Sequence, residues 1–131
     1  MIGLDANVVV RYLAQDDPRQ SPRATELIER RLTEANPGFL SVVAMAETAW
    51  VLKRSYGFSD ARTAAAIEGL LKADVLVVEN EQEVSIAMIA LRRGLCSFAD
   101  ALIGALGDKA GCSHTMTFDR KAARLPAFAL V

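Results

Sequence analysis

The 131-residue sequence predicts an α/β fold with a central, mostly parallel sheet of four or five strands. Two observations carry this prediction. Short apolar runs recur at residues 1–4, 39–41, 75–78, 115–118 and 128–131, the last of them a strand or a tail. Segments with helical apolar spacing stand between most of them. Strands alternating with helices place parallel strands side by side, covered by helices on both faces.

The elements follow in order. The apolar opening Met1-Ile2-Gly3-Leu4 ends at Asp5 and reads as a buried strand. Residues 7–14 suit a short helix, and Asp16-Asp17-Pro18 breaks it. Ala24, Leu27, Ile28 and Leu32 give residues 23–35 a helical stripe with a charged opposite face, stopped by Asn36-Pro37-Gly38. Residues 39–41 form a second strand. Residues 42–56 form a helix whose C′ position fits Gly57. Ser59 caps a helix reaching about Lys72. Val75-Leu76-Val77-Val78 is a β-branched run suited to a buried parallel strand. Val84, Ala87, Met88 and Leu91 mark a helix over residues 82–93, which Gly94 ends. Ser97 opens a helix running to about Ala110. Residues 115–118 form a strand, and 119–124 a helical turn before Pro126.

Composition narrows the function. Apolar residues make up 52% and charged residues 24%, which excludes intrinsic disorder. The length fits a single domain over residues 1–131. No apolar run is long enough for a membrane helix. The start lacks a basic region and does not read as a secretion signal. A net charge of −1 excludes a strongly basic protein that coats nucleic acid by bulk attraction. Cys96 and Cys112 have no CxxC spacing, and His114 is the one histidine, so a zinc cluster lacks ligands. Two free buried thiols and a cytoplasmic location are expected.

Most of the 16 acids have ordinary roles. Glu26, Glu29 and Glu34 lie among arginines on a solvated helix face. Glu79, Glu81 and Glu83 surround a helix start, where the macrodipole favours negative charge. Four acids differ. Asp5 ends an apolar strand, although it can also cap the following helix. Glu47 stands in the run 42–52, where Thr48 is the one other polar residue; its i+3 and i+4 neighbours, Trp50 and Val51, offer no ion pair. Asp100 is the one polar side chain in residues 98–107, although Ser97-x-x-Asp100 also resembles a capping box. Asp119 follows a strand and can also cap the next turn.

In a parallel α/β sheet, strand C-termini and the N-termini of the following helices share one edge. Asp5 and Asp119 end strands, while Glu47 and Asp100 lie in the first two turns of helices. All four are therefore expected to converge at one rim. Ionised carboxylates packed together repel, a cost that a divalent cation removes. Oxygen-only donors favour Mg²⁺ or Mn²⁺ over zinc, and the chemistry implied is metal-assisted attack on phosphate esters.

These segments resemble a known family. Leu4-Asp5-Ala6-Asn7-Val8-Val9-Val10 resembles the opening of PIN-domain ribonucleases. Ala46-Glu47 is similar to their second acidic motif, and Phe98-Ala99-Asp100-Ala101-Leu102-Ile103 to the third. Thr117-Phe118-Asp119-Arg120-Lys121-Ala122-Ala123-Arg124-Leu125-Pro126 resembles the fourth. The order and the length resemble the VapC toxins of type II toxin–antitoxin modules.

The resemblance implies a three-layer α/β/α fold and a Mg²⁺- or Mn²⁺-dependent endoribonuclease. It also implies a homodimer, or a higher-order toxin–antitoxin assembly, held inactive by a cognate antitoxin protein. Carried over by position, Asp5 and Asp100 are metal ligands. Glu47 completes the cluster or orients a water, and Asp119 binds metal or holds the attacking water. Asn7 and Thr117 are supporting groups that fix carboxylate orientation. Many relatives carry an acid where this chain has Ser97, a departure that bears on a second metal.

Charge distribution adds an RNA contact surface. Residues 1–91 hold 9 basic and 13 acidic groups, net −4; residues 92–131 hold 6 and 3, net +3. Arg92, Arg93, Arg120, Lys121 and Arg124 are candidates for phosphate contact, or solvated helix ends. The helices over 23–35 and 42–56, with Trp50, offer a groove for a partner helix or form ordinary core. Other readings fit less well. A haloacid-dehalogenase phosphatase wants a second Asp where Asn7 stands. A receiver domain wants an Asp ending the third strand, where Glu79-Asn80 follows. A non-catalytic binding module of the same fold is the alternative from another class, with Ser97 in its favour.

Overall fold

Five very short strands organise the chain, and all of their pairings are parallel. In the computed structural model, which describes residues 1–131, β1 (Ile2–Gly3), β2 (Gly38–Leu40) and β3 (Leu76–Val78) form one sheet in the order β1-β2-β3. The register pairs Ile2 with Gly38 and Phe39 with Val77. β4 (Thr115–Thr117) and β5 (Phe128–Leu130) form a second sheet, with Thr115 opposite Phe128. The expected strands are all present, grouped as three and two and not as one ladder of four or five. The chain divides into two compact units, Met1–Glu79 and Asn80–Val131. No helix is long and apolar enough to cross a membrane.

The first unit contains four helices. α1 (Ala6–Ala14) begins directly after Asp5, as its apolar spacing requires. α2 (Gln20–Glu26) starts three residues earlier than the apolar stripe indicates. Asp17 explains the shift: its Oδ1 accepts from the Arg19 and Gln20 N–H groups at 2.9 and 2.7 Å. Pro22 is tolerated because first-turn N–H groups have no helical partner. The helix does not reach residue 35. Over Leu27–Arg31 it widens to π bonding, with Leu32 N–H donating to Leu27 O at 2.9 Å, and Leu32 then turns extended.

α3 (Val42–Tyr56) and α4 (Asp60–Lys72) match the sequence reading at both ends. Ser41 Oγ accepts from Ala44 N and Ser59 Oγ from Arg62 N, each at 3.1 Å. Gly57 sits at φ +66°, a left-handed conformation that suits glycine. Leu40, Met45, Leu52 and Ile67 are fully buried. β3 is an edge strand, so Val77 is exposed and the run 75–78 is not buried throughout. A polar cluster joins α1 to α3: Arg11 Nη1 donates to Tyr56 Oη at 2.6 Å, and Tyr56 Oη donates to Asp16 Oδ2 at 2.8 Å.

The second unit packs α5 (Glu81–Arg92) against α6 (Phe98–Lys109), and α6 against β4. Ser97 Oγ accepts from Asp100 N at 3.1 Å and caps α6. A short 3-10 turn, Ala122–Arg124, connects β4 to β5. Gly104 lies against the buried Phe128 ring, leaving no room for a Cβ. Both cysteines are free. Cys96 is buried, but Cys112, in the exposed turn after α6, is not the buried thiol expected.

Candidate functional site

Each predicted acidic residue occupies a strand end or an early helical turn, and each unit supplies two of them. In the first unit, Asp5 follows β1. Leu4 N–H extends the pairing to Phe39 O at 2.9 Å, so the chain turns into α1 only after Asp5. Asp5 is the N-cap by backbone geometry, φ −77° and ψ 151°, yet its side chain makes no cap hydrogen bond. Its carboxylate is exposed and uncommitted, contrary to the capping alternative.

Glu47 stands in the second turn of α3, exposed and without hydrogen bond or ion pair. Its neighbour Thr48 is fully buried and donates to Ala44 O at 2.7 Å. β1 and β2 are parallel neighbours, and α1 packs against α3. Asp5 and the start of α3 therefore share one sheet edge.

Glu79 joins them at that edge. Its N–H donates to Leu40 O at 2.9 Å, and its Oε1 accepts from Val42 N at 2.9 Å. It thus caps α3, and is not part of the α5 start to which the sequence pattern assigned it. The signal was present: Glu79 ends an apolar strand, as Asp5 does.

In the second unit, Asp100 occupies the first turn of α6 and is half-buried. One half of the capping box is made, Ser97 to the Asp100 N–H, and the Asp100 carboxylate takes no part. Asp119 is engaged: its Oδ1 accepts from Lys121 N at 2.8 Å and Ala122 N at 3.2 Å. The turn-capping alternative is therefore realised for one oxygen. Thr117 Oγ1 accepts from Asp119 N at 3.0 Å and fixes the backbone that carries this carboxylate.

Cys96 is buried just before the cap of α6. Burial pushes its thiol pKa up, the charges of Asp100 and Asp119 push it further, and Lys121 opposes them. Glu83, also in this unit, serves a structural role. Burial pushes its carboxyl up, but the Asn80 amide and the Lys109 ammonium, 3.2 Å away, hold it below the usual range.

Asn7 does not hold a carboxylate; it lines a cavity beside α1 and α2. Arg92, Arg93, Arg120, Lys121 and Arg124 are all exposed, at the end of α5 and around the 3-10 turn. Phe118, between Thr117 and Asp119, is 85% exposed, an arrangement the strand pattern did not indicate. Trp50 and Val43, 57% and 74% exposed on α3, are surface and not core.

No three or more His, Cys, Asp or Glu side chains gather into a metal-holding group, so the expected convergence of the four carboxylates is not seen. The donor chemistry nevertheless fits a hard divalent cation. Asp5, Glu47 and Asp100 present carboxylates free of internal partners, and Asp119 keeps acceptor capacity beyond its two N–H donors.

A family model described as PIN domain matches residues 2–127, a span that includes all four carboxylates and most of both units. The chain belongs to the PIN-domain family. It therefore has a nuclease-type fold, and members of this family generally act as nucleases that use divalent metals. Comparison with curated proteins found no match.

Proposed function

We propose that this protein is a Mg²⁺- or Mn²⁺-dependent endoribonuclease whose acidic residues are Asp5, Glu47, Asp100 and Asp119. The observation that carries the proposal is the state of the carboxylates. Asp5 and Asp100 both stand at helix starts where a carboxylate ordinarily caps, and in both cases the side chain makes no such bond. A carboxylate at a helix N-terminus with no bonding task there is available for an external cation or for a water.

The bound cation would neutralise charge developing on the phosphate and make a water acidic enough to attack at neutral pH. Asp5, Asp100 and Glu47 would hold it through oxygen atoms. Asp119, fixed by Thr117 and by two backbone N–H groups, would bind the metal or hold the attacking water. Departure of the 3′-oxygen leaves a 5′-phosphate and a 3′-hydroxyl. Arg120, Lys121 and Arg124 follow Asp119 in the chain and are exposed, and the exposed Phe118 ring offers a face for an unpaired base.

The test is cleavage of single-stranded RNA by the purified protein, with Mg²⁺, with Mn²⁺ and with EDTA. Cleavage is expected with either metal and lost in EDTA. Asp5→Asn and Asp100→Asn should each lower the rate roughly a hundredfold or more while keeping the fold. Full activity in either variant removes that residue from the site. A folded parent that binds RNA yet cleaves none with either metal is the non-catalytic module.

We further propose a cytoplasmic toxin, dimeric and neutralised by a cognate antitoxin. The free thiols Cys96 and Cys112 accord with a reducing compartment. Exposed Trp50 and Val43 on α3 provide apolar surface for a protein partner. Growth arrest on expression, relieved by a co-expressed neighbouring small protein, checks this reading.

A further inference from the structure

We infer that the groove between α1 and α2 is a binding subsite for single-stranded RNA, receiving a nucleotide next to the one being cut. This rests on the ribonuclease reading and names contact residues other than the basic residues 92–124. The cavity is about 320 Å³ and is lined by Asn7, Arg11, Arg23 and Arg31 above an apolar floor of Val8, Ala24 and Leu27. That volume falls within the range of small-ligand pockets.

Three features select a phosphate-bearing occupant. The first is charge. Arg11 is committed to Asp16, Tyr56 and Gln20, but Arg23 and Arg31 pair with no carboxylate of the chain. Two free guanidinium groups at one groove are matched by a polyanion, and the planar fork binds phosphate in bidentate fashion or stacks on a base.

The second feature is the helix geometry. In an α-helix, four residues overshoot a full turn by about 40°, so residues eight apart drift off a common face. The π segment Leu27–Arg31 winds more loosely and returns Arg31 to the face that carries Arg23 and Leu27. The distortion thus aligns both cations over the apolar floor. The two lie at most roughly 12 Å apart along the axis, since 1.5 Å rise per residue is the α-helical value and the π segment rises less. Successive phosphates of one strand can reach both, and a lone carboxylate cannot.

The third feature is position. Asn7, at the mouth of the groove, is two residues from Asp5 in the first turn of α1. Its amide donates and accepts, as recognition of a base edge requires. A strand cut at Asp5 thereby has its neighbouring nucleotide beside Asn7 and its next phosphates beside Arg23 and Arg31.

The experiment compares the parent with Arg23→Gln, Arg31→Gln and the double variant. Both arginines are exposed, so these variants should fold, which circular dichroism verifies. Two readouts are needed: steady-state cleavage of a single-stranded RNA, and its binding across a salt series in EDTA. The double variant should raise KM about tenfold with kcat retained. Its log K versus log salt slope should become shallower by about 1.4, at 0.7 per phosphate contact. A parent that cleaves RNA while both variants match it in KM and slope overturns the subsite and leaves the ribonuclease reading standing. A parent that neither cleaves nor binds RNA overturns both. Variants that keep RNA binding but lose binding of a poly-glutamate peptide make the groove a protein-docking surface, and the RNA subsite is then rejected.

Discussion

Asp16 shows how one exposed carboxylate ties two helices together. The Tyr56 hydroxyl, followed by Arg11, holds its pKa below the usual carboxylate range. A carboxyl whose folded pKa lies below its unfolded value of about 3.9 stabilises the fold fully above that value. The contribution disappears as pH falls through the lower, folded value. Tyr56→Phe removes the first cause of the shift, so the variant is expected to unfold at lower urea concentration than the parent at pH 7. The gap should narrow at acid pH, as Asp16 becomes protonated in the folded parent as well as in the variant. Urea titrations at the two pH values check this. An equal gap at both would mean that Tyr56 acts through packing alone.

At the scale of elements, the contact between α6 and β5 is set by an absent side chain. Gly104 faces the buried Phe128 ring so closely that a Cβ cannot be added without moving the ring. Gly104→Ala should therefore destabilise the protein by about 1–3 kcal/mol. That overpacking outweighs the ~0.5–1 kcal/mol that alanine gains over glycine in a helix. Gly69 in α4 meets nothing within 4 Å, so Gly69→Ala should show the gain alone. Thermal and denaturant unfolding of the pair separates the two effects; loss of stability in both would point away from the Phe128 clash.

Helix ends were legible because capping is local. Ser41, Ser59, Ser97 and Gly57 act within five residues of their own positions. The start of α2 was missed because its cap, Asp17, lies upstream of Pro22, and the apolar stripe begins only at Ala24. The π segment has no pattern of its own. Grouping of strands into three and two depends on ladders between distant segments, and runs of two or three residues carry no register information. The carboxylates stood out as lone charges in apolar runs. Glu79 did not, because Glu81 and Glu83 made it look like part of the next helix start. Arg23 and Arg31 looked like an ordinary solvated face until α1 supplied the opposite wall of the groove.

At the scale of the whole molecule, a net charge of −1 conceals carboxylates that have no cation of their own. Asp100 makes no hydrogen bond or ion pair through its carboxylate, so it has no internal partner to lose. Neutralising it should then cost the apoprotein little or nothing. A bound cation reverses the balance, since any ligand that prefers the folded state stabilises it in proportion to the logarithm of its excess over Kd. In EDTA, Asp100→Asn is expected to melt at or above the parent temperature. In millimolar Mg²⁺ or Mn²⁺ the parent should rise by several degrees while the variant stays put, so that the order of the two inverts. Thermal melts in the two buffers read this without any RNA, independently of catalysis. A parent unmoved by either metal contradicts the metal site, and equal upshifts in both proteins show that the cation is held without Asp100.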